Sequence, residues 1–378
     1  MKKLYSYILV SLLFMQISFA QKAELYQALR PYFYPPDSLK GDFGDLRSPL
    51  IFDNGEVVKS PKQWKQRKQE IRADWEKYLG KWPELYKKQT FEYLDTVDKG
   101  NYTQYVVRFK WTPNEWTEGY LLVPKHSKGK MPAVVTVFYD AETAIGTSDR
   151  NPNLTSHRFF ALQLVSRGFI TLSIGTKAAS ARHEFSLYYP SIDSVSVQPL
   201  SMLGYAANNA YYALANRKDV DKKRIGIVGH SFGGKWAMFA SCLTDNFAAA
   251  VWSDPGIVMQ EDRQSINYWE PWYLGFHPKP WRKRGLITAE NPAYGVYNQL
   301  RKDNKNLQEL HALMAPRPFL VSGGAEDPVT RWKALNHSVA VNALLGQKER
   351  VAMTNRPKHA LNEEATDVIY KFFEYFLK

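Results

Sequence analysis

The stretch that decides the fold is Arg224-Ile225-Gly226-Ile227-Val228-Gly229-His230-Ser231-Phe232-Gly233-Gly234-Lys235. Arg224–Val228 reads as a buried strand, and Ser231–Leu243 reads as a helix. Between them lies Gly229-His230-Ser231-Phe232-Gly233, a G-x-S-x-G. That spacing has a steric reason. A serine on a sharp strand-to-helix turn projects its hydroxyl above the sheet, and such a turn admits only small neighbours. The helix that follows aims its first backbone N–H groups at the same point, where an oxyanion can be stabilised. Ser231 is therefore the candidate nucleophile. A strand–turn–helix with no chemistry is the bland reading of the same letters.

Working outward, strands and helices alternate. Tyr105–Trp111 and Gly119–Val123 read as an antiparallel pair. Pro132–Phe138 is a continuous apolar run, as in a strand buried on both faces. Phe169–Ile174, Ala248–Trp252, Phe319–Ser322 and Arg350–Met353 read as further strands. Helices are expected at Arg158–Arg167, Leu200–Asn216, Trp332–Leu345 and Glu364–Leu377. This alternation specifies an α/β fold with a mostly parallel central sheet flanked by helices. Residues 21–378 read as a single domain. Within it, 21–101 is an N-terminal extension holding an amphipathic helix at 62–79, whose apolar face carries Trp64, Ile71, Trp75 and Leu79. After the sixth strand the alternation stops. Residues 255–310 form an aromatic-rich insert, and so long a connection reads as an excursion over the active site.

A serine hydroxyl needs a base, expected in the order Ser, acid, His. The histidines after Ser231 are His277, His311, His337 and His359. His359 follows the last strand and precedes the final helix, so it is the candidate base. His311 and His337 read as structural, and His277 as a substrate contact from the insert. The acid should follow a strand that precedes the histidine. Asp327, after Gly323-Gly324-Ala325-Glu326, is the first choice. Asp254, straight after Ala248–Trp252, and Glu326 are the alternatives. The acid would fix the imidazole tautomer and stabilise the imidazolium. An oxyanion hole needs the backbone N–H of Phe232 and one from the loop after Pro132–Phe138, at Tyr139 or Asp140.

Composition bounds the setting. The chain has 378 residues, 44% hydrophobic and 23% charged, with one cysteine, Cys242. These values exclude a disordered chain, a disulfide framework and a cysteine-based metal site. Lys2 and Lys3, the apolar run through Phe19 and the small residues Ser18 and Ala20 read as an export leader at 1–20, cleaved after Ala20. The protein is then periplasmic or secreted. Past the leader, no stretch approaches the about 20 apolar residues of a membrane span. A net charge of +13 suits an acidic polysaccharide partner, and equally a solvated basic face. No nucleic-acid-reading motif is present. Ser–His–Asp chemistry requires no metal or cofactor.

The residues in hand resemble the α/β-hydrolase superfamily. A narrower resemblance, to bacterial glucuronoyl esterases and related acetyl xylan esterases, rests on four patterns. They are Pro35-Pro36-Asp37-Ser38-Leu39, Trp64-Lys65-Gln66-Arg67 with Glu70-Ile71, Tyr78-Leu79-Gly80-Lys81-Trp82-Pro83, and Leu313-Met314-Ala315-Pro316-Arg317-Pro318-Phe319-Leu320. Gly229-His230-Ser231 with Gly234-Lys235 belongs to the same likeness. It implies a serine carbohydrate esterase that removes acetyl, methyl or uronate esters from polysaccharide. It also implies that Lys235, Trp269 and Trp272 contact the sugar. In glucuronoyl esterases an Arg follows the nucleophile and helps hold the oxyanion; here that position is Phe232. The other readings are a secreted serine peptidase of the same fold and a catalytically inactive carbohydrate-binding relative.

Overall fold

The computed structural model describes residues 20–125, 129–148, 155–176 and 187–378, so all of the leader reading except Ala20 lies outside them. The strands are β1 (Glu92–Asp98), β2 (Tyr102–Lys110), β3 (Trp116–Pro124), β4 (Met131–Phe138), β5 (Ile170–Gly175), β6 (Tyr189–Ser191), β7 (Ser194–Val197), β8 (Val220–His230), β9 (Ala249–Ser253), β10 (Phe319–Gly323) and β11 (Val351–Asn355). The helices are α1 (Pro61–Leu79), α2 (Phe160–Val165), α3 (Pro199–Ala215), α4 (Phe232–Cys242), α5 (Gly295–Lys302), α6 (Gln308–Ala312), α7 (Trp332–Leu344) and α8 (Glu363–Leu377).

Among the described residues nine strands form one sheet in the order β1-β2-β3-β5-β4-β8-β9-β10-β11, and β6 and β7 form a separate hairpin. From β5 to β11 every pairing is parallel, while β1, β2 and β3 add an antiparallel meander against β5. The apolar run of β4 has its cause here. Val135 and Val137 enter the core beneath α3 and α4, and Val134 enters the core beneath α8. In β8, Ile225 and Ile227 take the first side and Val228 the second. Each such side chain removed from water contributes about 1.5–3 kcal/mol. Gly226 faces α8, where an added Cβ would lie 2.6 Å from Phe373 Cε1. The helix can seat that closely only over glycine.

Helix α1 starts where the chain chemistry dictates. Ser60 accepts a hydrogen bond from the Gln63 N–H (3.2 Å), and the Gln63 side chain accepts one from the Lys59 N–H (2.8 Å). Pro61 occupies a first-turn position that needs no donor. The buried stripe is Trp64, Arg67, Ile71, Trp75 and Leu79.

Strand β1 is missing from the sequence reading. It is exposed along its whole length and carries Glu92, Asp95 and Asp98. An edge strand with no buried face offers no apolar alternation to detect. Its presence shifts the count, so the aromatic insert follows the seventh strand of the sheet, not the sixth. Within the sheet, β4 lies between β5 and β8. The chain runs from β4 to one side and later returns on the other. Such a switch point opens a crevice at the carboxyl ends of the strands. Ser231 and Tyr139 both stand at that end.

Candidate active site

Ser231 sits at φ 57° and ψ −116°, a conformation that L residues rarely adopt. Its N–H donates to the Ser253 carbonyl (2.7 Å), which pins the turn to the end of β9. The glycines around it are obligatory. A Cβ on Gly229 would lie 2.2 Å from the Gly233 carbonyl oxygen, and one on Gly233 would lie 2.1 Å from the Val137 carbonyl oxygen. The elbow is thus packed backbone to backbone between β4 and α4. Strain of this kind persists only where the surroundings over-determine it.

His359 follows β11 and is 37% exposed at its side chain. Its Nε2 lies 2.9 Å from Ser231 Oγ, and its Nδ1 lies 2.7 Å from Asp254 Oδ2. A carboxylate only accepts, so Nδ1 carries the proton and Nε2 is left to accept the Ser231 hydroxyl. Asp254 is buried, with φ 48°. Its Oδ1 accepts the backbone N–H groups of Gly324 (2.7 Å), Glu326 (3.1 Å) and Asp327 (2.8 Å). The loop after β10 therefore acts as a cradle for the carboxylate that the loop after β9 supplies.

The expected acid, Asp327, does not meet His359. It is buried beneath Asp254, where its oxygens accept the N–H groups of Gly256 (2.8 Å) and Ile257 (2.6 Å) and face Arg331 Nε at 3.4 Å. Burial first and the neighbouring Asp254 second push its pKa up to about 6. Glu326 turns the other way and accepts from the Ser265 hydroxyl, with Arg263 3.4 Å away. The glycine turn favoured Asp327 by its position along the chain. The histidine loop closes instead over the strand adjacent to β8.

Two further residues surround the relay, and the sequence reading passed over both. Arg356 is buried and donates to the carbonyls of Ala360 (2.9 Å), Ser322 (2.8 Å), Gly323 (3.0 Å) and His359 (2.8 Å). It staples the histidine loop to the end of β10. The signal was a lone Arg within Asn355-Arg356-Pro357-Lys358-His359, which sequence alone cannot distinguish from a surface charge. His230 is buried beside the nucleophile, with its ring 4.7 Å from that of His359 and Nδ1 3.0 Å from Ser253 Oγ. Burial first, then the electrostatic influence of His359, Arg158 and Arg356, holds its pKa well below the ordinary value. It stays neutral beneath the base.

The prolyl oligopeptidase family matches residues 208–378. Among curated proteins none matches the chain. A glucuronoyl esterase from Solibacter usitatus superposes with a TM-score of 0.68 at 17% identity, over 89% of this chain and 98% of its own. A glucuronoyl esterase from Teredinibacter turnerae does so with 0.63 at 17%, over 94% and 99%. A putative acetyl xylan esterase from Bacteroides fragilis gives 0.58 at 16%, over 82% and 79%. The chain has the α/β-hydrolase fold.

Within that hydrolase fold the remaining expected residues divide. Phe232 opens α4, and its ring stacks on that of Tyr139 (4.7 Å, 16°). The residue after Ser231 and the first residue of the loop after β4 are thereby in side-chain contact. Asp140 is held by Thr143, whose N–H (2.7 Å) and hydroxyl (2.8 Å) donate to Oδ1. Lys235, expected at the sugar, is buried on the first turn of α4. Its Nζ donates to the Pro255 carbonyl and lies 4.9 Å from the centre of the Tyr268 ring. Burial lowers its pKa to about 8 against the pull of Asp327, Glu326 and Asp254.

Trp269 and Trp272, expected as sugar platforms, are also buried. Trp269 donates its indole N–H to the Gly285 carbonyl (2.9 Å) and packs edge-on against Tyr297. Arg284 covers Trp272 at 5.1 Å. Both hold the insert together. So does Arg282, which pairs with Glu270 (2.9 Å) and donates to the carbonyls of Gly285, Leu286, Asn291 and Pro292. A long segment poor in helix and strand needs such a buried hub to satisfy its backbone. His277 belongs to the same framework, with Nδ1 2.9 Å from the Gly275 carbonyl and its ring 4.4 Å from that of Tyr294.

Proposed function

We propose that the chain is an exported serine esterase acting on carboxylic ester decorations of polysaccharide. The observation that carries this reading is the continuous relay Ser231–His359–Asp254, with donor and acceptor distances of 2.9 and 2.7 Å, on a strained elbow. Ser231 Oγ attacks the ester carbonyl while His359 Nε2 takes its proton. The oxyanion that forms faces the N–H of Phe232 and the backbone at Tyr139. Collapse expels the alcohol, which receives the proton from His359 and leaves an acyl-serine. Water then attacks by the reverse relay and frees the acid. Asp254 keeps the imidazole in the tautomer that accepts from Ser231 and stabilises the imidazolium. No metal or cofactor enters these steps. The carbohydrate substrate class rests on the structural neighbours, glucuronoyl esterases and a putative acetyl xylan esterase, and on the sequence resemblance to the same families. Export rests on the leader reading. Among the described residues no helix is long and apolar enough to cross a membrane.

A second reading, a serine peptidase, is favoured by the match to the prolyl oligopeptidase family. One experiment separates the two. Acetylated xylo-oligosaccharide, a methyl glucuronate ester and a peptide amide are offered to the protein and to Ser231→Ala. The esterase reading expects acetate or methanol release that the substitution abolishes. Amide cleavage with no ester hydrolysis would replace it by the peptidase.

A further inference from the structure

One side chain adjoins every member of the relay. His230 ends β8, directly before Ser231. Its Nδ1 lies 3.0 Å from Ser253 Oγ. Ser253 accepts the Ser231 N–H at its carbonyl and directly precedes Asp254. The His230 ring lies 4.7 Å from that of His359, tilted by 32°. It is buried, at 1% exposure, whereas the His359 side chain is 37% exposed. The base is therefore open to solvent on part of its surface and backed by His230 on another.

Two hydrogen bonds hold the His359 ring, at Nδ1 to Asp254 and at Nε2 to Ser231. Ring nitrogens bond in the plane of the ring, and such bonds weaken when the plane turns. Two bonds at opposite ends leave the ring free to tilt about the line that joins them. A surface against one face removes that freedom. Arg356 does not supply it, since it holds His359 through the backbone carbonyl.

We propose that His230 is a positioning residue for the base: its ring, packed against His359, fixes the plane of the imidazole and keeps Nε2 aimed at Ser231 Oγ. The proposal rests on the reading of Ser231 and His359 as nucleophile and base, and adds a fourth side chain to that relay. The Ser253 bond keeps the His230 ring from turning. Burial keeps the ring neutral. A neutral ring suits the place, since a second cation would oppose the imidazolium that forms on His359.

The test is the rate at which a fluorophosphonate labels Ser231, a readout that needs no knowledge of the substrate. Ser231 Oγ displaces fluoride from phosphorus while His359 Nε2 takes its proton. His230→Asn keeps a polar group for Ser253 and loses the ring face; His230→Leu fills space without a flat face. Both should label about 10²-fold more slowly at saturating reagent, with the half-saturating concentration within about twofold. His230→Phe restores the face and should label within about fivefold of the wild type, although the unpaired Ser253 hydroxyl lowers its urea midpoint. Unchanged labelling in either ringless variant would overturn the proposal. So would slow labelling by a folded His230→Phe, which would assign the effect to the Ser253 bond. A nuclear Overhauser contact between the two imidazole rings is required in the wild type, and its absence overturns the proposal even if no variant folds. A wild type that labels no faster than Ser231→Ala would instead sink the serine-hydrolase reading, and the proposal with it.

Discussion

His359 Nδ1 lies 2.7 Å from Asp254 Oδ2, and Asp254 directly follows the strand next to the one that leads into Ser231, not the strand beyond it. Asp327 stands behind it and contacts His359 nowhere. The pair therefore separates an orienting carboxylate from a supporting one. Asp254→Asn should lower kcat by about 10⁴-fold, since an amide no longer fixes the imidazole tautomer. Asp327→Asn should act mainly on stability, at about 1–3 kcal/mol, by turning an amide toward two backbone donors. Steady-state kinetics and urea unfolding of both variants check this. A larger kcat loss in Asp327→Asn would return the catalytic role to it.

Arg356 holds the histidine loop through four backbone carbonyls. A lysine has the charge but not the planar fork. Arg356→Lys should therefore behave like Arg356→Ala, with kcat down about 10²-fold and KM little changed, as expected when a base is displaced by about 1 Å. Rescue by lysine would mean that charge, not geometry, matters there.

The elbow has no room to grow. Gly233→Ala places a methyl group 2.1 Å from the Val137 carbonyl oxygen, and that neighbour is backbone. The expected cost is about 2 kcal/mol or more, together with loss of activity from a displaced Ser231. Gly168→Ala is the contrast: unlike Gly233 it has a positive φ (82°), and no atom lies within 4 Å of its added Cβ, so its cost should be conformational only and kcat should stay intact. Thermal unfolding and kcat measured together distinguish packing from backbone strain.

Lys235 is a buried ammonium whose pKa falls from 10.5 to about 8, chiefly through burial. A lysine depressed in the folded state burdens stability fully below pH 8. The burden is relieved as the pH rises from about 8 toward 10.5. Relative to Lys235→Met, the wild type should gain on the order of 3 kcal/mol across that window and show a constant difference below it. Denaturant midpoints for both proteins at pH 6, 7, 9 and 10 measure it. A difference that stays flat to pH 10 would show that the ammonium is solvated.

The chain's local patterns already contained the α/β fold. Strands β4 and β8 are apolar because helices cover both faces, and that burial writes a continuous run such as Pro132–Phe138 into the sequence. The Gly229–Gly233 elbow was legible for a related reason, because backbone contact at 2.1–2.2 Å admits glycine alone. His359 could be placed by its loop. Strand β1 could not be read, since a strand exposed on both faces has no pattern to betray it. The choice between Asp254 and Asp327 belonged to the tertiary structure, because both follow a strand and only the path of the histidine loop decides which one it meets. The fates of Lys235, Trp269 and Trp272 belonged to it as well. An amphipathic or aromatic side chain serves a core as readily as a ligand, and only packing reveals which face is covered.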